Sequence, residues 1–185
     1  MTLARRRVLL SLPLALTALG GVGFYKILRR MRAGDYNPHS LPSPLIGHPP
    51  PAFNLPGLAG WPGVSSLALR ALTAPLLVNW FASWCAPCQQ EMRGLQELSA
   101  TGLCIWGIAY EDQPAAVQRF LKNFGNPYQR LGMDQSGLSA INWGVYGVPE
   151  TYLIDKTGIV RWRYAGPLTK TVTQQQLTPL LMRYA

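Results

Sequence analysis

From residue 75 onwards, the chain alternates short apolar runs with segments in which apolar residues recur every three or four positions. The runs at residues 76–81 (LLVNWF) and 103–109 (LCIWGIA) have the length and composition of strands buried on both faces of a sheet. Between them, residues 87–100 place apolar side chains at helical intervals, although Gly94 weakens or bends the predicted helix. The order strand, helix, strand is typical of a sheet that helices cover.

The same alternation continues beyond the second strand. Asp112 can cap a helix that has Pro114 in its first turn. A further strand is predicted at residues 128–133, and a short helix at residues 138–143.

The C-terminal part of the chain predicts a hairpin and a closing helix. Two strands, residues 150–155 and 159–164, flank the turn sequence KTG at residues 156–158. A last helix is predicted over residues 172–183, with an interruption caused by Pro179. We therefore expect an α/β fold with a central mixed β-sheet flanked by helices.

Composition and charge narrow the class of protein. With 48% hydrophobic and 14% charged residues, the 185-residue chain predicts a packed core and one domain of ordinary size. The formal net charge is +9, but residues 1–40 carry +6 of it and the remaining residues only +3. The body shows no basic stripe with interleaved aromatic residues, so nucleic-acid binding is not supported.

The charge near the N-terminus brackets an apolar segment of membrane length. Residues 8–25 form 18 positions without a formal charge, which at 1.5 Å per residue almost cross a hydrocarbon core of about 30 Å. Residues 26–28 complete the crossing if Lys26 extends its amine to the interface. We therefore expect a transmembrane helix that crosses the membrane once, within an anchor at residues 1–33.

Three interpretations of this segment stay open: an uncleaved signal-anchor, a cleaved signal peptide and a buried helix. Residues 18–20 (ALG) form a passable cleavage site, but the apolar run continues past them, which favours the uncleaved anchor. Basic residues on both sides disfavour a buried helix and leave the orientation undetermined by the positive-inside rule.

A proline-rich segment separates the anchor from the body. Residues 35–62 hold 8 of the 16 prolines, which favour extended backbone and exclude long helices. We assign residues 34–51 to a linker and residues 52–185 to the folded domain. His39 and His48 lie in the linker without neighbouring cysteines or carboxylates, so no metal site is predicted there.

The motif WCAPC, residues 84–88, stands where the first predicted strand gives way to a helix. Two cysteines at this spacing can close a disulfide where the backbone turns tightly, as in the first turn of a helix. Cys85, at the positive end of the helix dipole, is predicted to ionise readily and to act as the nucleophile. Cys88, one turn further, is predicted to resolve the mixed disulfide that Cys85 forms with a substrate.

A Cys-x-x-Cys pair can also be half of a zinc site, a structural disulfide or a pair of inert core thiols. Zinc requires two more ligands, and the candidates are Cys104, inside an apolar run, and the two linker histidines. The position between strand and helix favours redox activity. Cys104 itself is interpreted as a buried small side chain.

Taken together, these motifs resemble the thioredoxin fold. FASWCAPC follows an apolar strand, and GVPET at residues 147–151 precedes a hairpin. More narrowly, LIG at residues 45–47, FGNPY at residues 124–128 and GVYGVPETYLID at residues 144–155 resemble the CcmG/DsbE family of thiol:disulfide interchange proteins. The resemblance covers about residues 44–184.

The resemblance implies a substrate groove and leaves the proton acceptor open. Val148-Pro149 would be a cis peptide bond that, together with Trp84, faces a substrate strand across the dithiol.

Asn79 occupies the strand position, six before Cys85, where thioredoxins proper carry a buried aspartate. An amide cannot accept the proton of Cys88, so another acid or water must serve as the base. Glu150 is the first candidate and Glu111 the second, and either is equally compatible with a solvated loop acid.

The resemblance implies a reductant, anchored once in the bacterial inner membrane and facing the periplasm, of Cys-x-x-Cys-His disulfides in apocytochrome c or in its maturation proteins. The cofactor is the dithiol itself, and electrons would come from a transmembrane thiol reductant of the DsbD/CcdA type. We expect a monomer. Two alternatives stay open: a ResA/TlpA-like thioredoxin of another extracytoplasmic pathway, and a non-catalytic thioredoxin-fold adaptor of haem maturation. A peroxiredoxin is disfavoured because Ala82 stands where that class needs threonine.

Overall fold

The structure is a computed structural model that describes Gly21, residues 23–26, Arg29 and residues 43–184. The chain divides into two compact units, residues 1–40 and residues 41–185. In the first unit the described residues are helical. Within the described part of the chain, no helix is both long and apolar enough to cross a membrane. Most of the predicted anchor, the ALG cleavage site and His39 lie outside the described residues.

The second unit alternates strands and helices as the hydrophobic pattern predicts. Its strands are β1 (Asn54–Leu55), β2 (Val64–Ser65), β3 (Leu76–Phe81), β4 (Cys104–Tyr110), β5 (Arg130–Asp134), β6 (Glu150–Ile154) and β7 (Val160–Ala165). Its helices are α1 (Ser66–Leu69), α2 (Ala86–Ala100), α3 (Pro114–Phe124), α4 (Leu138–Trp143), α5 (Lys170–Val172) and α6 (Thr178–Tyr184), with a π-helical turn, Thr173–Leu177, before α6.

The main sheet is mixed and has the strand order β5-β4-β3-β6-β7. Strands β3, β4 and β5 are parallel, whereas β6 runs antiparallel to both β3 and β7. Strands β1 and β2 form a separate antiparallel pair. The carboxyl ends of the three parallel strands therefore meet at one edge of the sheet, which is the edge where α2 begins.

Successive side chains of a strand point to opposite faces, so the central strands divide the core in two. Leu77 and Phe81 of β3 and Leu153 of β6 pack with Cys88 and Met92 of α2, and we call this side the dithiol face. The opposite side, here called the far face, is a second cluster built around the aromatic residues Phe53, Trp80, Trp143 and Tyr152. The two faces together bury the central strands on both sides.

Two local predictions differ from the structure. The residue that caps α3 is Gln113, without a side-chain bond, because the Asp112 carboxylate binds elsewhere. Near the C-terminus, the predicted interruption takes the form of the π-helical turn that ends just before Thr178 and Pro179. Proline lacks the N–H of a regular helical bond, so the chain departs from α-helical pairing next to it.

Candidate active site

The dithiol lies where the chain leaves β3 and enters α2. Cys85 is the N-cap residue of α2, with extended backbone, and Pro87 occupies the first turn. Cys85 and Cys88 are joined by a disulfide, with their Cα atoms 5.3 Å apart. The backbone N–H of Cys88 donates to Cys85 Sγ over 3.1 Å. A sulfur in this position is surrounded by the free N–H groups of a helix start, which stabilise a thiolate.

The two sulfurs differ in their access to solvent. Cys85 is 4% exposed and Cys88 is completely buried in the core of the dithiol face. Trp84, directly before Cys85, is 61% exposed and lies 6.5 Å from the ring of Tyr110. The outer sulfur therefore meets a partner first, and the inner sulfur can react only with Cys85.

The loop before β6 faces the dithiol. The bond between Val148 and Pro149 is cis, and the Val148 carbonyl oxygen lies 3.4 Å from Cys85 Sγ. Gly166, just after β7, donates its N–H to the carbonyl of Pro149 over 2.8 Å and holds the loop in place. Trp84 and Val148 thus lie next to Cys85, and a groove for a substrate strand formed by Trp84, Val148 and Pro149 stays a prediction.

Beneath the dithiol, Asn79 of β3 is the centre of a buried polar network. Its Nδ2 donates to Glu91 Oε1 over 2.9 Å and to Thr151 Oγ1 over 3.0 Å. Its Oδ1 accepts a hydrogen bond of 2.8 Å from the hydroxyl of Tyr128. Asn79, Glu91 and Thr151 are all buried, and every polar group of the amide has a partner.

Glu91 is the acid that the structure places on the dithiol face, and the sequence analysis did not select it. It is 2% exposed, and its Oε2 accepts the backbone N–H of Leu168 over 2.9 Å. Burial raises the pKa of Glu91 to about 7, and the hydrogen bonds from Leu168 and Asn79 oppose that rise only in part. The signal was present: Glu91 follows Cys88 by three residues and so stands on the core-facing stripe of α2.

Glu150, the first candidate base, has its carboxylate bound on the far face of the sheet. It shares the far face with Tyr152, because residues two apart in a strand point the same way. Its carboxylate is held there by Arg163 Nε and Nη2, at 2.6 and 2.9 Å, and by the Tyr152 hydroxyl. A carboxylate with these partners anchors β6 to β7 behind the proline loop.

Glu111, the second candidate, is exposed and follows the last residue of β4. Its backbone has a φ of 44°, and its N–H donates to the carbonyl of Asp134. Among the described residues, no hydrogen bond or ion pair connects Glu111 with either cysteine of the dithiol. A role for Glu111 in proton transfer therefore stays a prediction.

Asp112 is a second acid that the sequence analysis did not assign to the site. Its carboxylate accepts the N–H of Ser83 over 2.6 Å and the hydroxyl of Ser83 over 3.0 Å. It also accepts the N–H of Gln113. These bonds fasten the segment that carries Trp84 and Cys85 to the end of β4.

Cys104 is the free cysteine of the described chain and lies far from this edge of the sheet. It is the first residue of β4 and pairs with Leu76, the first residue of β3, whereas the dithiol follows the last residue of β3. Burial raises the pKa of its thiol, and nearby Trp106 and Arg130 oppose the rise. It takes no part in the dithiol site.

Comparison with known proteins decides the family. The family model described as Redoxin matches residues 46–181. A thiol:disulfide interchange protein DsbE of Pseudomonas fluorescens biotype C is 40% identical over 173 residues, which cover 93% of this chain and 92% of that protein. The chain belongs to the DsbE family of redoxins. The thiol:disulfide interchange protein HelX of Rhodobacter capsulatus is 38% identical, over 94% of this chain and 95% of its own length.

The DsbE of Escherichia coli K12 is 35% identical over 98% of this chain and 97% of its own length. Among solved structures, a DsbE-type protein of Chlorobium tepidum superposes with a TM-score of 0.61 at 25% identity, covering 76% of this chain and 99% of that one. The expected thioredoxin-like fold and CcmG/DsbE membership are thereby confirmed. The chain is a thiol:disulfide oxidoreductase, and its cysteine pair needs no external cofactor.

Proposed function

We propose that this DsbE-type protein is a membrane-anchored periplasmic reductase of Cys-x-x-Cys-His disulfides in apocytochrome c or in its maturation proteins. The observation that carries the reaction is the Cys85–Cys88 pair at the start of α2, facing the Val148–Pro149 loop. A substrate strand can lie against this loop and present its disulfide to Cys85 Sγ. Trp84 supplies an exposed aromatic surface beside it.

The reaction proceeds in two exchanges. The Cys85 thiolate attacks one substrate sulfur, which forms a mixed disulfide and releases the other substrate sulfur as a thiolate. The Cys88 thiolate then attacks Cys85 Sγ, forms the Cys85–Cys88 disulfide and releases the second substrate thiolate. Two electrons pass from the dithiol to the substrate, and the protein ends in the oxidised form that the structure shows.

Cys88 must lose its proton before the second exchange, and we assign the acceptor to Glu91. Both groups are buried on the dithiol face, and they lie one turn apart in α2. A pKa of about 7 makes Glu91 suited to accept and return a proton near neutral pH. Asn79, which cannot accept a proton, holds the carboxylate through its amide.

The buried acid also supports the direction of the reaction. A carboxylate close to a dithiol disfavours the thiolate and so weakens the stabilisation of the reduced form. Strong oxidants of this fold depend on a stabilised reduced form. A protein whose acid opposes that stabilisation is suited to give electrons away.

The remaining parts of the proposal concern location and electron supply. Residues 1–33 would anchor the domain in the inner membrane, and the proline-rich segment that follows would connect the anchor to the folded domain. A reductant in an oxidising compartment needs a source of electrons, which a transmembrane thiol reductant of the DsbD/CcdA type would supply. The positive charge of residues 1–40 suits contact with anionic lipid.

Trapping tests this function. A Cys88→Ser variant cannot complete the second exchange, so it should accumulate mixed disulfides between Cys85 and cytochrome c maturation proteins in cells. Two matched controls should trap no partner. One is the double variant Cys85→Ser/Cys88→Ser, and the other is the single variant Cys104→Ser. If Cys88→Ser traps only proteins from unrelated pathways, the proposed substrate is contradicted. The two-step exchange mechanism would still hold.

A further inference from the structure

We propose that Tyr128 is a positioning residue of the second exchange: its hydroxyl locks the Asn79 amide so that Asn79 can only donate to the Glu91 carboxylate. This inference rests on the proposed role of Glu91 as the proton acceptor of Cys88. It is carried by the three hydrogen bonds of Asn79 and by the pocket that the fold builds for the Tyr128 ring.

The direction of each bond follows from the chemistry of the groups. An amide can present either its oxygen or its NH2 group to a neighbour, and only the neighbours decide which. Tyr128 donates to Oδ1, which leaves both Nδ2 hydrogens for Glu91 and Thr151. In the flipped orientation, Asn79 Oδ1 would face the Glu91 carboxylate and repel it.

Tyr128 stays a donor because it stays protonated. Burial, and then the charge of Glu91, raise the pKa of its hydroxyl well above the ordinary value. At neutral pH, the Tyr128 hydroxyl therefore keeps the proton that it donates to Asn79 Oδ1, whether Glu91 is ionised or not.

The fold makes room for Tyr128 and orients it. Its ring stacks on Phe81 with centroids 5.0 Å apart. A Cβ atom on Gly107, the β4 residue beneath it, would lie 2.8 Å from two atoms of that ring. The hydroxyl also lies 3.7 Å from Met92 Sδ. The ring thus occupies a fitted slot that points its hydroxyl at Asn79.

Ionisable groups around Glu91 are few. The titratable side chains in or against the core cluster of the dithiol face are Cys85, Cys88, Tyr128, Tyr164 and Tyr184. Among the described residues, no lysine or arginine forms an ion pair with Glu91. Its ionised form is therefore stabilised by two donors, the Leu168 N–H and the Asn79 amide, and Tyr128 controls the second of them.

The test uses Tyr128→Phe in the full chain, in a Cys104→Ser background, because that change removes the hydroxyl and keeps the stacked ring. In the reduced protein, the titration midpoint of the carbon-13-labelled Glu91 carboxyl should rise by about half to one pH unit. Tyr152→Phe is the matched control: it removes a buried hydroxyl from the far face and should leave that midpoint unchanged.

A kinetic readout links the midpoint to the reaction. The reagent is one equivalent of the disulfide dithiobis(nitrobenzoate). It releases one thionitrobenzoate when Cys85 attacks its disulfide bond, and a second when Cys88 resolves the mixed disulfide. Tyr128→Phe should move the pH profile of the second release upwards and leave the first release unchanged. An unmoved Glu91 midpoint in a folded Tyr128→Phe variant would overturn the inference.

Two further variants separate the possible failures. Combining Tyr128→Phe with Asn79→Ala should give no larger shift than Asn79→Ala alone, whereas additive shifts would show that Tyr128 does not act through Asn79. Glu91→Gln tests the proposed function by itself: an unchanged second release would remove Glu91 as the acceptor.

If Tyr128→Phe does not fold, the inference is tested on the wild-type protein instead. The Asn79 side-chain amide resonances should then titrate with the Glu91 midpoint beside a slowly exchanging Tyr128 hydroxyl proton, and rapid exchange of that proton would contradict the lock.

Discussion

Arg163 donates hydrogen bonds to the carboxylate of Glu150 from two nitrogen atoms, at 2.6 and 2.9 Å. The two side chains are 3% and 0% exposed. This pair connects the strand that follows the Val148–Pro149 loop to the neighbouring strand β7. It thus supports the loop that faces the dithiol from the side opposite to Glu91.

Removing Arg163 should therefore destabilise the fold strongly. Arg163→Met leaves the Glu150 carboxylate buried without its cation, and loss of one partner of such a pair costs about 3–5 kcal/mol. Urea unfolding measures this change. Arg93→Met is the matched control, because the Arg93–Glu97 pair is exposed and contributes about 0–1 kcal/mol. Equal effects of the two substitutions would contradict the assigned role of the buried pair.

Glu91 makes stability depend on pH in a definite direction. Its pKa is about 7 in the folded protein against an ordinary value of 4.5, so the folded state binds the proton more tightly. Between pH 4.5 and about 7 the free energy of unfolding should fall as pH rises, by up to about 3 kcal/mol. Glu91→Gln should abolish most of this slope in urea unfolding series. A slope that persists in the Gln variant would show that other groups cause it.

Glycine positions on the dithiol face give a packing test. Gly107→Ala places a methyl group 2.8 Å from the Tyr128 ring and 2.9 Å from Leu131 Cδ1. Such overpacking typically costs about 1–3 kcal/mol. Gly94→Ala, in the middle of α2, meets only an ordinary contact of 3.5 Å and should stabilise the helix by about 0.5–1 kcal/mol. Thermal unfolding should show changes of opposite sign, and a stable Gly107→Ala variant would contradict the fitted slot.

The hydrogen bonds between Asp112 and Ser83 should matter for the reactivity of Cys85 as well as for stability. Ser83→Ala removes the hydroxyl bond to Asp112 and keeps the backbone bond. Loss of one hydrogen bond to a charged group costs about 1.5–3 kcal/mol, part of which loosens the segment before Cys85. We expect slower first release of thionitrobenzoate. Ser99→Ala, on the outer end of α2, is the control and should not slow that step.

Local pattern was enough to predict the main strands, the hairpin and the position of the dithiol. The run at residues 76–81 is apolar on both faces, and the cysteines follow it directly, so neither inference needs a distant contact. The same holds for α2, whose bounds differ from the prediction by one residue.

Local pattern could not show which acidic residue lies on the dithiol face. Whether Glu150 faces the dithiol depends on strand register, since a shift of one residue exchanges the two faces of a sheet. The partner of Asn79 at Tyr128 lies 49 residues away, and that of Glu91 at Leu168 lies 77 residues away. Glu91 was overlooked because a glutamate in a helix is most often solvated, and its burial depends on these contacts.

The reduction potential of the Cys85–Cys88 couple tests the central claim most directly. It is measured by equilibrating the full chain with glutathione or dithiothreitol buffers and scoring the fraction of disulfide. A reductase with a buried acid beside its dithiol should have a potential in the glutaredoxin range of about −200 to −230 mV, or lower. A value near about −120 mV, as in the strong oxidant DsbA, would contradict the proposed direction of electron transfer.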